Sequence, residues 1–312
     1  MKYILNKKEI STCMIGTWAW GGGLNGSKMV FGKSYGIEQL RETFEQAYSL
    51  GFNFWDTAPV YGMGNAEKIL GEFIKGKDVV ISTKHRPIFG HKDGEVRKTI
   101  EKSLQRLGVS CIDLFWLHSP KSIVKNMVEF AQCQKDGLIK SIGLSNGSIE
   151  QIHLADKTLR ENGSKLDAVQ NHYSLLSFER EAATLEYCKQ NNILYFGYMI
   201  LEQGALSGHY SENNHFPLLS FRGMLFGKQK FRKIQPLLDY AKQLAEKYSV
   251  DPSQIPIAWA ISKGVIPLVG LTKAKHGDSL KAGLATILDE AEAAQLEKLA
   301  LDSGVVCKAF WE

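Results

Sequence analysis

Eight short β-rich runs, at residues 12–18, 52–57, 79–84, 112–118, 141–145, 168–172, 193–198 and 265–270, alternate with segments of helical period at 37–50, 66–74, 95–107, 123–135, 148–160 and 179–190. A longer tract before the eighth run holds two further helical patterns, 236–248 and 252–263, and a last one covers 290–301. Apolar spacings of three and four separate the helical segments from the runs. Gly51, Gly76, Gly108 and Gly137 follow helical segments, where a left-handed cap is expected. Strict βα alternation predicts a parallel sheet with right-handed crossovers. Eight such units close most economically into an α/β (β/α)8 TIM barrel, because closure leaves no unpaired edge. No linker-like break or fixed-period repeat interrupts the pattern, so residues 1–312 read as a single domain with long loops over the C-terminal face of the barrel.

Composition supports a chain with a large core. Of 312 residues, 44% are hydrophobic and 23% charged, which excludes disordered and low-complexity classes. The net charge of +5 comes from 38 basic and 33 acidic residues, interspersed as in Arg97-Lys98-Thr99-Ile100-Glu101-Lys102. That is the pattern of solvated helix faces. Nucleic acid is not an expected partner, since its binding wants basic clustering. The apolar stretch from Ile193 to Leu201 falls well short of the roughly 20 residues that span a bilayer, so no membrane association is expected. Residues 1–10 have too short an apolar segment for a signal peptide, and the five cysteines form no CxxC, which points to a reduced cytoplasmic compartment.

Two glycine-rich matches are set aside. Gly21-Gly22-Gly23-Leu24-Asn25-Gly26 fits GxGxxG after a strand, but residues 27–36 intervene before any helical period, whereas a dinucleotide fingerprint needs its last glycine to open the helix. Gly32-Lys33-Ser34 lacks the upstream glycine at phosphate-loop spacing. Residues 21–36 and 209–227 read instead as irregular loops that overhang the C-terminal face, where active sites of this architecture form. After the last helix, the tail reads as an extended end carrying Phe310 and Trp311.

Strand side chains alternate faces, so inward residues at the C-terminal ends of barrel strands line its mouth. Asp56 ends the second run on the parity of Phe52 and Phe54. Lys84 ends the third with Val80 and Ser82, and His118 ends the fourth with Leu114 and Trp116. Tyr61 follows in a turn with Pro59, Gly62 and Gly64. Each alone has a plain structural explanation, as a cap, a surface cation, a core histidine or loop packing. Their convergence on successive strands reads as a proton-transfer device. A phenol of pKa about 10 is a poor acid at neutrality, and an adjacent ammonium lowers it. Lys84 is expected to supply that charge, Asp56 to keep Lys84 charged and oriented, and His118 to donate to the same substrate oxygen. Such a device suits protonation of a carbonyl oxygen as hydride reaches its carbon. No side chain provides hydride, so a cofactor is required; no metal is expected.

The segment Phe54-Trp55-Asp56-Thr57-Ala58-Pro59-Val60-Tyr61-Gly62, followed by Asn65-Ala66-Glu67 and Leu70-Gly71, resembles the signature of the aldo-keto reductase family around its catalytic Asp and Tyr. Ile81-Ser82-Thr83-Lys84 and Asp113-Leu114-Phe115-Trp116-Leu117-His118 resemble its Lys and His segments, in the same order along nearly the whole chain. The resemblance implies a (β/α)8 barrel that interconverts an aldehyde or ketone with its alcohol using a nicotinamide dinucleotide, typically NADPH.

The same resemblance implies a cofactor site. Ser145, Asn146 and Gln170 match residues that hold the nicotinamide carboxamide, and Tyr198 the aromatic that stacks on its ring. Leu201, Gln203, Gly204 and Leu206 resemble the loop near the pyrophosphate. Gly270, Thr272, Lys273 and His276 resemble the segment that receives the adenosine 2′-phosphate, which implies NADPH in preference to a possible NADH. Trp18, Trp20 and Trp116 are the expected substrate-pocket residues. Three departures stand out: Met199-Ile200 replaces the family's Ser-Pro, Ser279-Leu280 its adenine-contacting Glu-Asn, and Ser119 the Trp that often follows the catalytic His. Two other readings are open on the sequence. One is a redox-neutral NADP-dependent epimerase or lyase; the other is a cofactor-binding regulatory subunit with slow turnover, as the family's potassium-channel β subunits are.

Overall fold

The computed structural model describes residues 2–22, 32, 34–217 and 220–308. A hairpin that the sequence reading did not anticipate opens the chain, β1 (Tyr3–Leu5) paired antiparallel with β2 (Lys8–Ile10). Asn6 and Lys7 join them with φ of 44° and 65°, the two left-handed residues of a tight hairpin turn. Leu5 and Ile10 are buried against Met14, Phe54, Val80 and Leu114, so the hairpin plugs the N-terminal end of the barrel behind it.

The barrel comprises β3 (Met14–Gly16), β4 (Phe54–Asp56), β5 (Val80–His85), β6 (Ile112–Leu117), β7 (Ile139–Ser145), β8 (Ala168–His172), β9 (Leu194–Tyr198) and β10 (Ile266–Gly270). They pair in chain order, all parallel, and β10 closes on β3. This is the (β/α)8 barrel that the alternation predicts. Around it lie α1 (Ile37–Ser49), α2 (Asn65–Phe73), α3 (Glu95–Leu107), α4 (Ile123–Lys135), α5 (Ile149–Glu161) and α6 (Ala182–Gln190). Between β9 and β10 run α7 (Phe221–Leu225), α8 (Lys228–Tyr248) and α9 (Gln254–Ser262), and α10 (Lys275–Ala285) and α11 (Glu290–Asp302) follow β10.

Three of these helices correct the sequence reading. The loop at 209–227 contains α7, and α10 was not expected. Helix α8 starts eight residues before Pro236, where the periodicity had placed its first turn. Pro236 is exposed, so the Arg232 carbonyl it leaves without an intrahelical donor is open to water, while Phe231 and Ile234 upstream are buried and hold the extra turns in place. Of the loop at 21–36, residues 23–31 and 33 lie outside the described residues, as do Phe310 and Trp311 of the tail.

Strand parity sorts the core into two bodies. Inside the barrel lie Met14, Phe54, Val80, Leu114, Trp116, Ala168, Phe196 and Ile266. The alternate residues, among them Ile15, Trp55, Ile81, Phe115, Ile142 and Val169, pack outward against the helices. Trp116 lies flat over Gly143 on the neighbouring strand, where a Cβ would come within 2.1 Å of the indole. Phe54 and Trp116 meet Phe196 edge-on at 5.5 and 5.7 Å, filling the barrel to just below its C-terminal mouth.

Candidate active site

Asp56 and Lys84 point into the barrel at the ends of β4 and β5, each 1% exposed, and form an ion pair. The other carboxylate oxygen, Oδ1, accepts from Ser82 Oγ at 2.5 Å, and Lys84 Nζ also donates to the Thr57 carbonyl at 2.9 Å. Ser82 is a participant that the sequence reading missed. It stands two residues before Lys84, hence on the same inward face, and its register partner is Asp56 itself. Thr17 anchors the Asp56 carbonyl with both its amide and its hydroxyl, at 2.9 and 3.0 Å. Behind the strand, buried Glu67 of α2 accepts from Thr83 Oγ1 at 2.7 Å and from Arg106 Nε at 2.5 Å, tying β5 to α2 and α3.

Tyr61 stands over this pair in the turn after β4. The Lys84 ammonium lies 5.1 Å from the centroid of its ring, and His118, just after β6, presents its imidazole edge-on at 6.5 Å. The three residues singled out by strand parity and Tyr61 of the turn therefore do converge. Their electrostatics differ from expectation in one respect. Burial first, then the Asp56 carboxylate and Tyr198, push the Tyr61 phenol well above its ordinary value. The Lys84 ammonium, paired with Asp56 and bonded to the Thr57 carbonyl, does not outweigh these effects. Burial also lowers Lys84, with Asp56 and Glu67 opposing. His118 is held well below the usual histidine range by burial and then by the charges of Lys84 and Arg86. The site thus holds a protonated phenol beside a neutral imidazole whose buried Nδ1 has no hydrogen-bond partner among the described residues.

Of the three tryptophans, Trp18 borders the mouth, half-buried, 6.2 Å from Tyr61. Trp20 and Trp116 are buried rather than open at the mouth. Trp20 packs outside the barrel on Trp55 and Phe73 at 5.6 and 5.7 Å, and its indole N–H donates to the Leu271 carbonyl at 2.7 Å. Trp116 is fully buried and forms the floor beneath His118. Inward parity alone does not distinguish floor from mouth; depth along the strand does.

On the opposite side of the mouth, Ser145, Asn146, Gln170 and Tyr198 form one connected group. Ser145 Oγ donates to the Gln170 carbonyl at 2.9 Å, Asn146 Nδ2 donates to the His118 carbonyl at 3.0 Å, and Tyr198 Oη donates to Asn146 Oδ1 at 2.6 Å. After β9 the backbone is left-handed at Met199, Glu202, Gln203 and Gly204, with φ of 61°, 46°, 55° and 103°. Leu201, Gln203, Gly204 and Leu206 lie in this tight segment, where Leu206 is buried and Gln203 Oε1 is buried without a partner among the described residues. Gly270 ends β10. Thr272, whose carbonyl accepts from Gln39 at 2.5 Å, leads to Lys273 and His276, both exposed at the start of α10. Ser279 is held by Asp251 and Gln254. Hydroxyl and amide groups beside an aromatic ring, a tight loop with a buried amide oxygen that has no partner among the described residues, and an exposed basic side chain just before a helix have the chemistry to hold a dinucleotide. Among the described residues, no group of three or more His, Cys, Asp or Glu side chains is arranged to hold a metal ion. None of the described helices is long and apolar enough to cross a membrane.

A barrel of this kind, with an Asp, Tyr, Lys and His gathered at its mouth, defines a class of NAD(P)-dependent oxidoreductase. The aldo/keto reductase family model matches residues 13–301, and the chain belongs to that family. It is 28% identical to the aldo-keto reductase yakc [NADP(+)] of Schizosaccharomyces pombe, over 92% of this chain and 90% of that one. It is 25% identical to the NADH-specific methylglyoxal reductase of Escherichia coli, over 93% and 95% respectively. The solved structure of the glycerol dehydrogenase AKR11B4 from Gluconobacter oxydans superposes with a TM-score of 0.83, at 25% identity and covering 99% of this chain and 98% of that one.

Proposed function

We propose that this enzyme reduces a small aldehyde or ketone to its alcohol, and catalyses the reverse, with Tyr61 as the general acid and base. The observation that carries the reading is the pairing of a phenol held protonated with a neutral histidine at the same mouth, above a buried ion pair. When bound, the dinucleotide supplies or accepts the hydride. In the reductive direction Tyr61 gives its hydroxyl proton to the carbonyl oxygen, and His118 donates a hydrogen bond that orients that oxygen. The phenolate left behind lies near the Lys84 cation, whose position Asp56, Ser82 and Thr57 fix in advance. Preorganised charge of this kind lowers the barrier without reorganisation during the step.

For the cofactor we infer a preference for NADPH, with Ser145, Asn146, Gln170 and Tyr198 holding the nicotinamide end and Lys273 reading the 2′-phosphate. The names of similar proteins point both ways, one marked NADP(+) and one NADH-specific, so the local charge carries this choice. Two similar proteins are named for methylglyoxal and glycerol, which supports a small oxygenated substrate. The deciding experiment is a carbonyl panel assayed by loss of reduced-dinucleotide absorbance, with Tyr61→Phe in parallel. Turnover by the native enzyme that the variant lacks supports the reading; no turnover with any carbonyl, or equal turnover by both, overturns it.

A further inference from the structure

Beneath the nicotinamide side of the mouth lies a polar chain, buried at His172, Ser174 and Glu202 and exposed at Arg180, that the proposed reaction does not use. Glu202, 6% exposed, accepts from His172 Nε2 at 2.7 Å and from Ser174 Oγ on the same oxygen. His172 Nδ1 in turn lies 3.1 Å from Arg180 Nη2. A guanidinium only donates, so Nδ1 is the acceptor and the proton sits on Nε2, facing the carboxylate. The chain therefore reads Arg180 cation, neutral His172, Glu202 anion, and its two charges are bridged rather than isolated. Its ends are joined to the two parts of the candidate cofactor site. The imidazole of His172, at the end of β8, stacks on Tyr198 with centroids 5.7 Å apart and planes 19° apart. Glu202 is itself one of the left-handed residues of the loop after β9, at φ 46°. A non-glycine residue rarely adopts that conformation and keeps it only where its surroundings impose it. Here the side-chain bonds of Glu202 act together with its backbone bonds, its N–H donating to the Met199 carbonyl at 2.8 Å and its carbonyl accepting from the Ala205 N–H at 3.0 Å.

We propose that Glu202 is a positioning residue for the dinucleotide, acting at both ends of its reach. Through His172 it sets the plane of Tyr198 against which the nicotinamide would lie, and through its own backbone it holds the loop at Leu201–Leu206 that would carry the pyrophosphate. This deepens the functional reading above and rests on it. Neutralising the carboxylate in Glu202→Gln keeps its volume but replaces a charge-assisted acceptor with a neutral one, roughly half as strong. His172→Phe keeps a ring beneath Tyr198 and severs it from Glu202.

The test titrates NADPH and 2′-phospho-ADP-ribose, which lacks the nicotinamide, against the wild type and both variants by quenching of intrinsic fluorescence, with kcat and Tm measured alongside. Glu202→Gln is expected to weaken both ligands about ten-fold, because the loop serves both. His172→Phe is expected to weaken NADPH several-fold while leaving the fragment within two-fold. Native-like affinity of both variants for both ligands, with only Tm lowered, overturns the proposal, as does equal weakening of the two ligands by His172→Phe. If Glu202→Gln does not fold, the contrast between the ligands in His172→Phe decides alone. A wild type that binds neither ligand refutes the cofactor reading instead, which keeps the two failures distinct.

Discussion

Gly21 and Tyr61 meet backbone to backbone: a Cβ on Gly21 would stand 2.7 Å from the Tyr61 carbonyl carbon and 2.8 Å from its oxygen. Gly62, at φ 58°, completes the contact, since a Cβ there would come within 2.6 Å of the Gly22 carbonyl. The loop after β3 is thereby pressed against the turn that carries the phenol. This accounts for the first glycine of the GxGxxG match without any phosphate; its later glycines, Gly23 and Gly26, lie outside the described residues.

Gly21→Ala follows directly as a test of that contact. Gly21 has φ −72°, an ordinary value, so an alanine costs nothing in backbone conformation and acts only through space. The Tyr61 turn must retreat. A misplacement of about 1 Å costs on the order of 100-fold in rate, so kcat should fall about 10- to 100-fold while NADPH affinity stays within two-fold. An unchanged kcat would show that the turn yields without moving the phenol.

Tyr61→Phe removes the only proton proposed to move. Turnover should drop by about 10²–10⁴-fold, the usual worth of general acid catalysis, with dinucleotide affinity nearly unchanged. Steady-state kinetics beside a binding titration reads both, and near-native carbonyl reduction would exclude Tyr61 as the acid.

The pH dependence has a defined sign. Burial and Asp56 raise the Tyr61 phenol, so its proton is present throughout neutrality and is lost only above the ordinary value near 10. Burial and Lys84 depress His118, so it stays neutral down through the usual histidine range near 6.5. Reduction should therefore be flat between about pH 6 and 9, whereas alcohol oxidation, which needs the phenolate, should climb across the same interval. An inflection of the reductive rate near pH 6.5 would mean that His118 must be charged.

Lys84→Met leaves Asp56 as a buried carboxylate to whose side chain, among the described residues, Ser82 alone donates. Breaking a buried pair on one side costs about 3–5 kcal/mol, and the uncompensated anion pushes the phenol further up. Little turnover should remain, and denaturant midpoints should fall. Asp56→Asn added to Lys84→Met should restore most of the stability and none of the activity. A double variant no more stable than Lys84→Met would show that the pair is not what stabilises this region.

Much of this geometry was readable in the chain because two periodicities carry it. The alternation of runs dictated the barrel, and parity placed Asp56, Lys84 and His118 on its inner face. What parity does not encode is depth: Trp116 shares the parity of His118 yet lies one layer lower, over Gly143, and Trp20 is turned outward to the Leu271 carbonyl. The hairpin escaped notice because three-residue strands are too short for alternation to show, and Asn6-Lys7 lacks the glycine of the strongest hairpin signals. Glu202 and His172 are 30 residues apart and meet only once β8 and β9 pair and the chain turns after β9, which leaves no local signal. The direction of the Tyr61 shift was misjudged for a related reason. A sequence shows that an aspartate, a lysine and a phenol are neighbours, but not how deeply the phenol is buried or that the Asp56 and Tyr198 charges bear on it.

The preference for NADPH that we propose is argued from the charge at the start of α10. Lys273, Lys275 and His276 are all exposed there, and the His276 imidazole is lowered by burial and then by the charges of Lys273 and Lys275. Like charges crowded in this way favour an anion between them, and a helix start adds its own partial positive charge. Opposing them is Asp251, whose carboxylate accepts from Ser279 at 2.7 Å and raises His276 in turn. Lys273 and Lys275 supply the cations, since the lowered His276 is neutral at pH 7, and Asp278 in the first turn of α10 stands with Asp251 against them; what favours a phosphate over a bare ribose hydroxyl is the exposed Lys273 ammonium just before the helix start. A charge-assisted hydrogen bond contributes roughly 1.5–3 kcal/mol, so Lys273→Ala should weaken NADPH by about 10- to 100-fold and leave NADH almost unchanged. The loss should shrink as salt is added, because the site is exposed and screened. Parallel fluorescence titrations of both dinucleotides against both proteins decide it: equal losses for NADPH and NADH would show that Lys273 does not read the 2′-phosphate.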